Sequence, residues 1–232
     1  MIGHPADGIV PRTSSSNPQT VRSMHSTGFA ATAQGSLARV AVRAGKLLAM
    51  ALLAGLAACS GGDTPSFKGT DITGTHLGRD LALTDQTGQA RTLASYSGKV
   101  QVYFFGFTQC PDVCPSALAE MAEVLKKLGS DAQHVQVALI TVDPERDTQE
   151  VLQAYVSAFD PRFVALRGDQ AQTRAAASTF KAYYARAPQK DGNYSMDHTA
   201  AFYIFDRKGE ARVLASPNLG VDALVHDIRA LL

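Results

Sequence analysis

The chain has little cysteine, almost no net charge, no internal repeat and no apolar run long enough to cross a membrane. Its 232 residues include three cysteines, Cys59, Cys110 and Cys114, so the body of the protein contains a single pair. Net charge is +1, but residues 1–58 hold five basic residues against Asp7, which leaves 17 basic and 20 acidic residues in 59–232. A mildly acidic body lacks the electrostatic footprint of a nucleic-acid binder, and that class is excluded. The most apolar stretch, LLAMALLAGLAA, has about a dozen residues, well short of the ~20 needed to span a bilayer as a helix. A hydrophobic content of 45% supplies one ordinary core, and a second domain would be cramped.

What the N-terminal region does contain is ordered: Arg39, Arg43 and Lys46, then the apolar run Leu47 to Ala58, then Cys59 and the polar stretch SGGDTPS. Basic, apolar, small is the pattern of an export signal. Leu56-Ala57-Ala58-Cys59 resembles a bacterial lipobox, in which the cysteine becomes the lipidated first residue of the mature chain; the other reading is an uncleaved anchor. Both put the body outside the cytoplasm and tie it to a lipid membrane. The expected organisation is a leader and lipoprotein-type signal peptide over 1–58, a flexible tether over 59–66, and one domain over 67–232. Residues 1 to about 38 are rich in Ser, Thr and Ala without periodicity, and Met24 is a candidate for the true start.

The domain reads as α/β. Asp80 to Lys99 holds two short strand-like pieces around the turn Thr87-Gly88. Val100 to Phe107 and Val135 to Asp143 are almost continuously apolar and β-rich, as central strands covered on both faces should be. Between them Pro115 suits the first helical position, and Leu118, Met121, Leu125 and Leu128 recur at helical spacing until Gly129. A helix starting at Asp147 or Thr148 stops before Pro161, and Phe163 to Arg167 is a third strand. Asp169 to Arg186 reads as a helix with Ala175, Ala176, Phe180 and Tyr183 toward the core. Ala200 to Ser216 is a hairpin around Asp206 to Gly209, and Val221 to Leu232 a closing amphipathic helix. The order predicts a mixed central sheet flanked by helices on both faces, with added β-hairpins.

The cysteine pair falls between the C-terminal end of a central strand and the next helix, where open α/β sheets place their ligand sites. Cys110 and Cys114, four apart on a turn, suit a disulfide, a redox couple or a metal clip equally. A helix N-terminus there stabilises a thiolate. Of six histidines, His4 and His25 lie in the leader, His76 in a loop, and His134 and His226 in polar surroundings. His198 ends the loop YSMDH, which in a thioredoxin-like arrangement faces the cysteine-bearing helix. Asp197 beside it either orients the ring or caps a turn. Asp112 reads as a turn former, and DPERD (Asp143 to Asp147) as a salt-bridged loop and helix start.

Three blocks, TQCPDVCPSALAEM, LITVDPERDT and YSMDHTAAFYIFDRKG, resemble the defining segments of the Sco/SenC family of thioredoxin-fold copper proteins, which serve cytochrome c oxidase assembly. The likeness covers about Phe67 to Leu232. It implies that Cys110, Cys114 and His198 hold a copper ion, and that the partner is the copper-bearing subunit of cytochrome c oxidase or another copper chaperone. The donor set agrees: soft thiolates select Cu(I), and an imidazole completes a three-coordinate site. Zinc also takes such a set but wants a closed fourth ligand, for which Asp112, Asp197 and His76 are the candidates. An open position suits delivery. The alternative is a thiol-disulfide oxidoreductase or peroxidase, with Cys110 as nucleophile and Cys114 as resolving thiol. Thioredoxins carry C-x-x-C and a proline before the following strand, where Asp197-His198-Thr199 stands here. Peroxiredoxins carry P-x-x-x-T-x-x-C, and Tyr103 and Phe107 fill the Pro and Thr places. The reading is of a metallochaperone rather than an enzyme, whose thiols could also reduce an acceptor.

Overall fold

Residues 66–190 and 192–232 are described by the computed structural model; the leader, Cys59 and all of the tether except Ser66 lie outside them. Strands β1 (Thr70–Asp71), β2 (Leu83–Asp85), β3 (Ala90–Arg91) and β4 (Val100–Gly106) precede helix α1 (Val113–Leu128). There follow β5 (Val135–Thr141), α2 (Gln149–Ser157), β6 (Val164–Arg167), α3 (Gln170–Phe180), β7 (Tyr184–Pro188), β8 (Tyr194–His198), β9 (Phe202–Phe205), β10 (Ala211–Ala215) and α4 (Val221–Arg229).

The two apolar runs make the centre. Every residue of β4 and β5 is buried, and the strands pair in parallel from Val100 opposite Val135 to Gly106 opposite Thr141. Burial of side chains such as Phe104, Phe105, Leu139 and Ile140 stabilises the fold by roughly 1.5–3 kcal/mol each. β6 adds in parallel to β5, and β9 antiparallel to β4. The full order is β1-β10-β9-β4-β5-β6-β2-β3, a mixed sheet. Alternation along β4 divides its two faces. Tyr103 and Phe105 meet the Phe180 ring of α3 edge-on, with centroids 5.4 and 5.3 Å apart. On the other face Gly106 abuts the Cys114 sulfur of α1, so helices cover both sides, as the sequence predicts.

Three expectations need correction. Helix α1 begins at Val113, which makes Pro115 its third residue rather than its first; a missing N–H costs nothing there, because first-turn N–H groups have no intrahelical acceptor. Helix α3 stops at Phe180, and Lys181 adopts the left-handed conformation with φ of 55°. Ala175 and Tyr183 are exposed, Tyr183 at 63%. The chain beyond is not helix: β7 and β8 form a separate two-stranded sheet, with Tyr184 opposite His198. YSMDH is therefore a strand, not a loop.

Candidate metal centre

The cysteine turn is built at the C-terminal ends of β4 and β5. After Phe107 the chain reverses, and the Cys110 N–H donates to the Phe107 carbonyl at 3.3 Å. Helix α1 then starts so that the Cys114 N–H, an unpaired first-turn donor, points at Cys110 Sγ, 3.3 Å away. The sulfur of Cys114 occupies the space above Gly106, where a Cβ would stand 3.0 Å from it and 3.0 Å from Leu139. Glycine at the end of β4 is thus a condition for placing this sulfur. Asp147, fully buried, fixes the turn from behind: its carboxylate accepts from Thr108 Oγ1 at 2.6 Å and from the Thr141 hydroxyl. The start of α2 falls instead to Thr148, whose hydroxyl accepts from the Val151 N–H at 3.3 Å.

His198 arrives from the separate sheet. Its Nε2 lies 3.4 Å from Cys114 Sγ, and its Nδ1 lies 3.2 Å from the Thr199 carbonyl oxygen. A carbonyl only accepts, so Nδ1 carries the proton and Nε2 turns its lone pair toward the sulfurs. The Phe104 and Phe107 rings hold the imidazole edge-on, with centroids 6.0 and 5.9 Å from it. Donor atoms of Cys110, Cys114 and His198 all lie within 4.8 Å of one another, the only such group of three or more among the described residues.

The fourth-ligand candidates lie outside this group. Asp112 is exposed and accepts from the Ser116 hydroxyl, and His76 lies 3.9 Å from Glu210. Asp197 is exposed, one residue out of phase with the ring on β8; of the two roles it could have, orienting the imidazole is taken by the Thr199 carbonyl.

Burial sets the electrostatics. Both cysteines are free thiols, Cys110 at 9% exposure and Cys114 at 0%. Desolvation, then the hydrogen bond with Cys110, pushes the Cys114 thiol far up. The stabilised thiolate expected at a helix N-terminus does not apply to this residue, because burial outweighs the helix dipole. Desolvation likewise lowers the His198 pKa, against the Thr199 hydrogen bond and the Asp197 charge. The imidazole is neutral at pH 7 and ready to donate. A soft cation fits the three donors: two sulfurs and one nitrogen converge in an apolar rim, and a bound ion would displace the thiol proton that burial retains. Gly106, Asp147 and the Thr199 carbonyl escape a sequence reading. A small residue ending an apolar strand is a sign of close approach for the first; nothing local marks the other two.

The chain is similar to several known proteins. The SCO2-like protein of Rickettsia felis is 36% identical over 136 residues, 58% of this chain and 66% of the relative, so the match spans just under two thirds of that relative's length. The structure of Bradyrhizobium japonicum ScoI with copper bound is 38% identical, with a TM-score of 0.61, covering 72% of this chain and 100% of that one. The solution structure of apo Sco1 from Thermus thermophilus is 38% identical with a TM-score of 0.65, covering 74% and 100%. The SCO1/SenC family model matches residues 69–232, which takes in both cysteines, the histidine and the whole sheet, and the chain belongs to that family.

Proposed function

We propose that this protein binds one copper ion through Cys110, Cys114 and His198 and delivers it to the copper site of cytochrome c oxidase, directly or through another copper chaperone, while tethered outside the cytoplasm. The convergence of two sulfurs and a lone-pair-bearing Nε2 within 4.8 Å carries the reading. Copper in the B. japonicum relative supports the choice of metal. Copper is cargo here: three donors hold it, and the coordination position that a three-donor set leaves free lets an acceptor's ligand enter before a sulfur leaves. Membership of the family supports the choice of acceptor, and the leader sequence supports the lipid tether at Cys59. No helix among the described residues is long and apolar enough to cross a membrane.

The test is spectroscopic. The soluble body from Ser66 should bind one Cu(II) with a sulfur-to-copper charge-transfer absorption that disappears in Cys110→Ser, and His198→Ala should weaken copper binding about a hundredfold, or ~2.7 kcal/mol. A colourless wild type, or unchanged affinity without the imidazole, overturns the reading.

One observation favours a second duty. Cys110 is the more exposed residue of the pair and Cys114 is fully buried, the order of access of an attacking thiol and its resolving partner. Two thiols passing two electrons and two protons to an acceptor disulfide would leave a Cys110–Cys114 disulfide. A disulfide-reductase assay run beside the copper titration separates the two duties.

A further inference from the structure

The loop Asp143 to Asp147 takes no direct part in that site, yet it contains the most connected side chain beside it. Arg146 is largely buried, with its side chain 16% exposed, and pairs through Nε with the Asp143 carboxylate, 2% exposed. Its Nη1 donates to Gln109 Oε1 at 3.0 Å and to the Tyr194 carbonyl at 2.9 Å. Gln109 directly precedes Cys110, and Tyr194 begins the strand that His198 ends. The guanidinium carbon stacks 3.8 Å from the Tyr194 ring centroid and lies 5.9 Å from that of Phe107, whose ring meets His198. The Tyr194 hydroxyl donates to Asp143 at 2.9 Å. Arg186, 4.1 Å from the same ring, pairs with Glu145 at 2.7 Å.

These contacts matter because the two halves of the site share no ladder. The sulfurs ride on the turn between β4 and α1. The imidazole rides on β8, which pairs only with β7, outside the main sheet. The Thr199 N–H bond to the Tyr183 carbonyl, 2.9 Å, holds the base of that hairpin; farther along, the Arg146 guanidinium links Tyr194 to Gln109 of the cysteine turn.

We propose that Arg146 is a positioning residue of the metal centre: it supplies no donor atom but sets the place of His198 Nε2 relative to the two sulfurs. The proposal rests on the copper reading of the three donors. Lysine cannot replace it, because the role needs a fork that bonds two directions at once and a flat face that stacks.

The test uses Arg146→Lys, which keeps a cation beside Asp143. In the metal-free protein, NMR of the His198 ring should show shifted resonances and weakened cross-peaks to Phe107, while Arg212→Lys, remote from the hairpin, leaves them in place. In Cu(I) competition, Arg146→Lys should lose about tenfold in affinity, within the range for groups that orient a ligand. Combined with His198→Ala, it should cost less than twofold further, because a residue acting through the imidazole has nothing left to position. Equal losses in both backgrounds, or ring signals identical to wild type, overturn the proposal. Should Arg146→Lys not fold, Gln109→Ala cuts only the exposed link at the cysteine end and is read the same way. Failure of the wild type to bind copper would refute the copper reading alone, since the metal-free ring signals still decide the positioning role.

Discussion

Copper(I) affinity should rise steadily with pH through the neutral range. Sequence alone gives a different expectation, a fall only below about pH 6 as an ordinary histidine takes up its proton. The structure moves the titration to the other ligand. Burial keeps the His198 ring neutral to lower pH, and burial keeps the Cys114 thiol protonated well above neutrality. A metal that binds the thiolate must expel that proton, so each pH unit changes the binding constant by about tenfold, ~1.4 kcal/mol. Between pH 6.5 and 8.5 Cys114 alone then contributes about a hundredfold, ~2.7 kcal/mol. The assay is an anaerobic Cu(I) titration against a chromophoric chelator, repeated at half-unit intervals, with the slope of log affinity against pH counting the protons released. A slope of at least one decade per unit, without a plateau before pH 8.5, is expected, and Cys114→Ser should lower it by one proton. A flat line above pH 6.5 would refute the reasoning, because it would mean that Cys114 is already a thiolate in the metal-free protein.

Two further outcomes follow from the same geometry. The lowered pKa of His198 means that the unfolded chain binds the proton more readily, so the metal-free protein has its full stability above the ordinary histidine value of about 6.5 and loses it as pH falls through and below that value. Thermal midpoints at pH 7.5 and 5.0 should differ less in His198→Gln than in the wild type; an equal difference would remove the imidazole from the cause. Gly106→Ala places a methyl group 3.0 Å from both the Cys114 sulfur and Leu139, an overpacking that should cost about 1–3 kcal/mol in urea denaturation. An unchanged midpoint would show that the sulfur has room to move.

Sequence makes the central architecture legible where one local rule suffices. The runs VQVYFFG and VQVALIT read as covered strands from their short length and β-branched and aromatic content, and Thr87-Gly88 and Asp206 to Gly209 turn as glycine-containing hairpins should. The hairpin bearing His198 is where that legibility ends. Helix α3 stops at Lys181 in a left-handed conformation without glycine, so nothing in the helical pattern announces its end. The alternation Tyr194-Met196-His198 against Ser195-Asp197 is present, but five residues of it also fit a loop; the strand is settled by pairing with the neighbouring β7, itself unmarked because the helical pattern runs into it, and by the stack on Arg146, far away in sequence. The candidate donors are identifiable from residue type and spacing. The carbonyl that holds the ring belongs to the next residue, Thr199, and as a backbone group it carries no residue-type signature; the buried Asp147 behind the turn is a tertiary partner of Thr108 with no local mark.

The sulfur of Cys114 and the nitrogen it faces are 84 positions apart along the chain. During synthesis, at roughly 5–20 residues per second, the thiols emerge several seconds before the imidazole exists. Any oxidant or ion met in that interval encounters a bare dithiol, and a polypeptide cut short ahead of residue 198 would keep that dithiol for good. The complete set of three donors is therefore a late product of maturation, present only in chains whose last third has been made and docked.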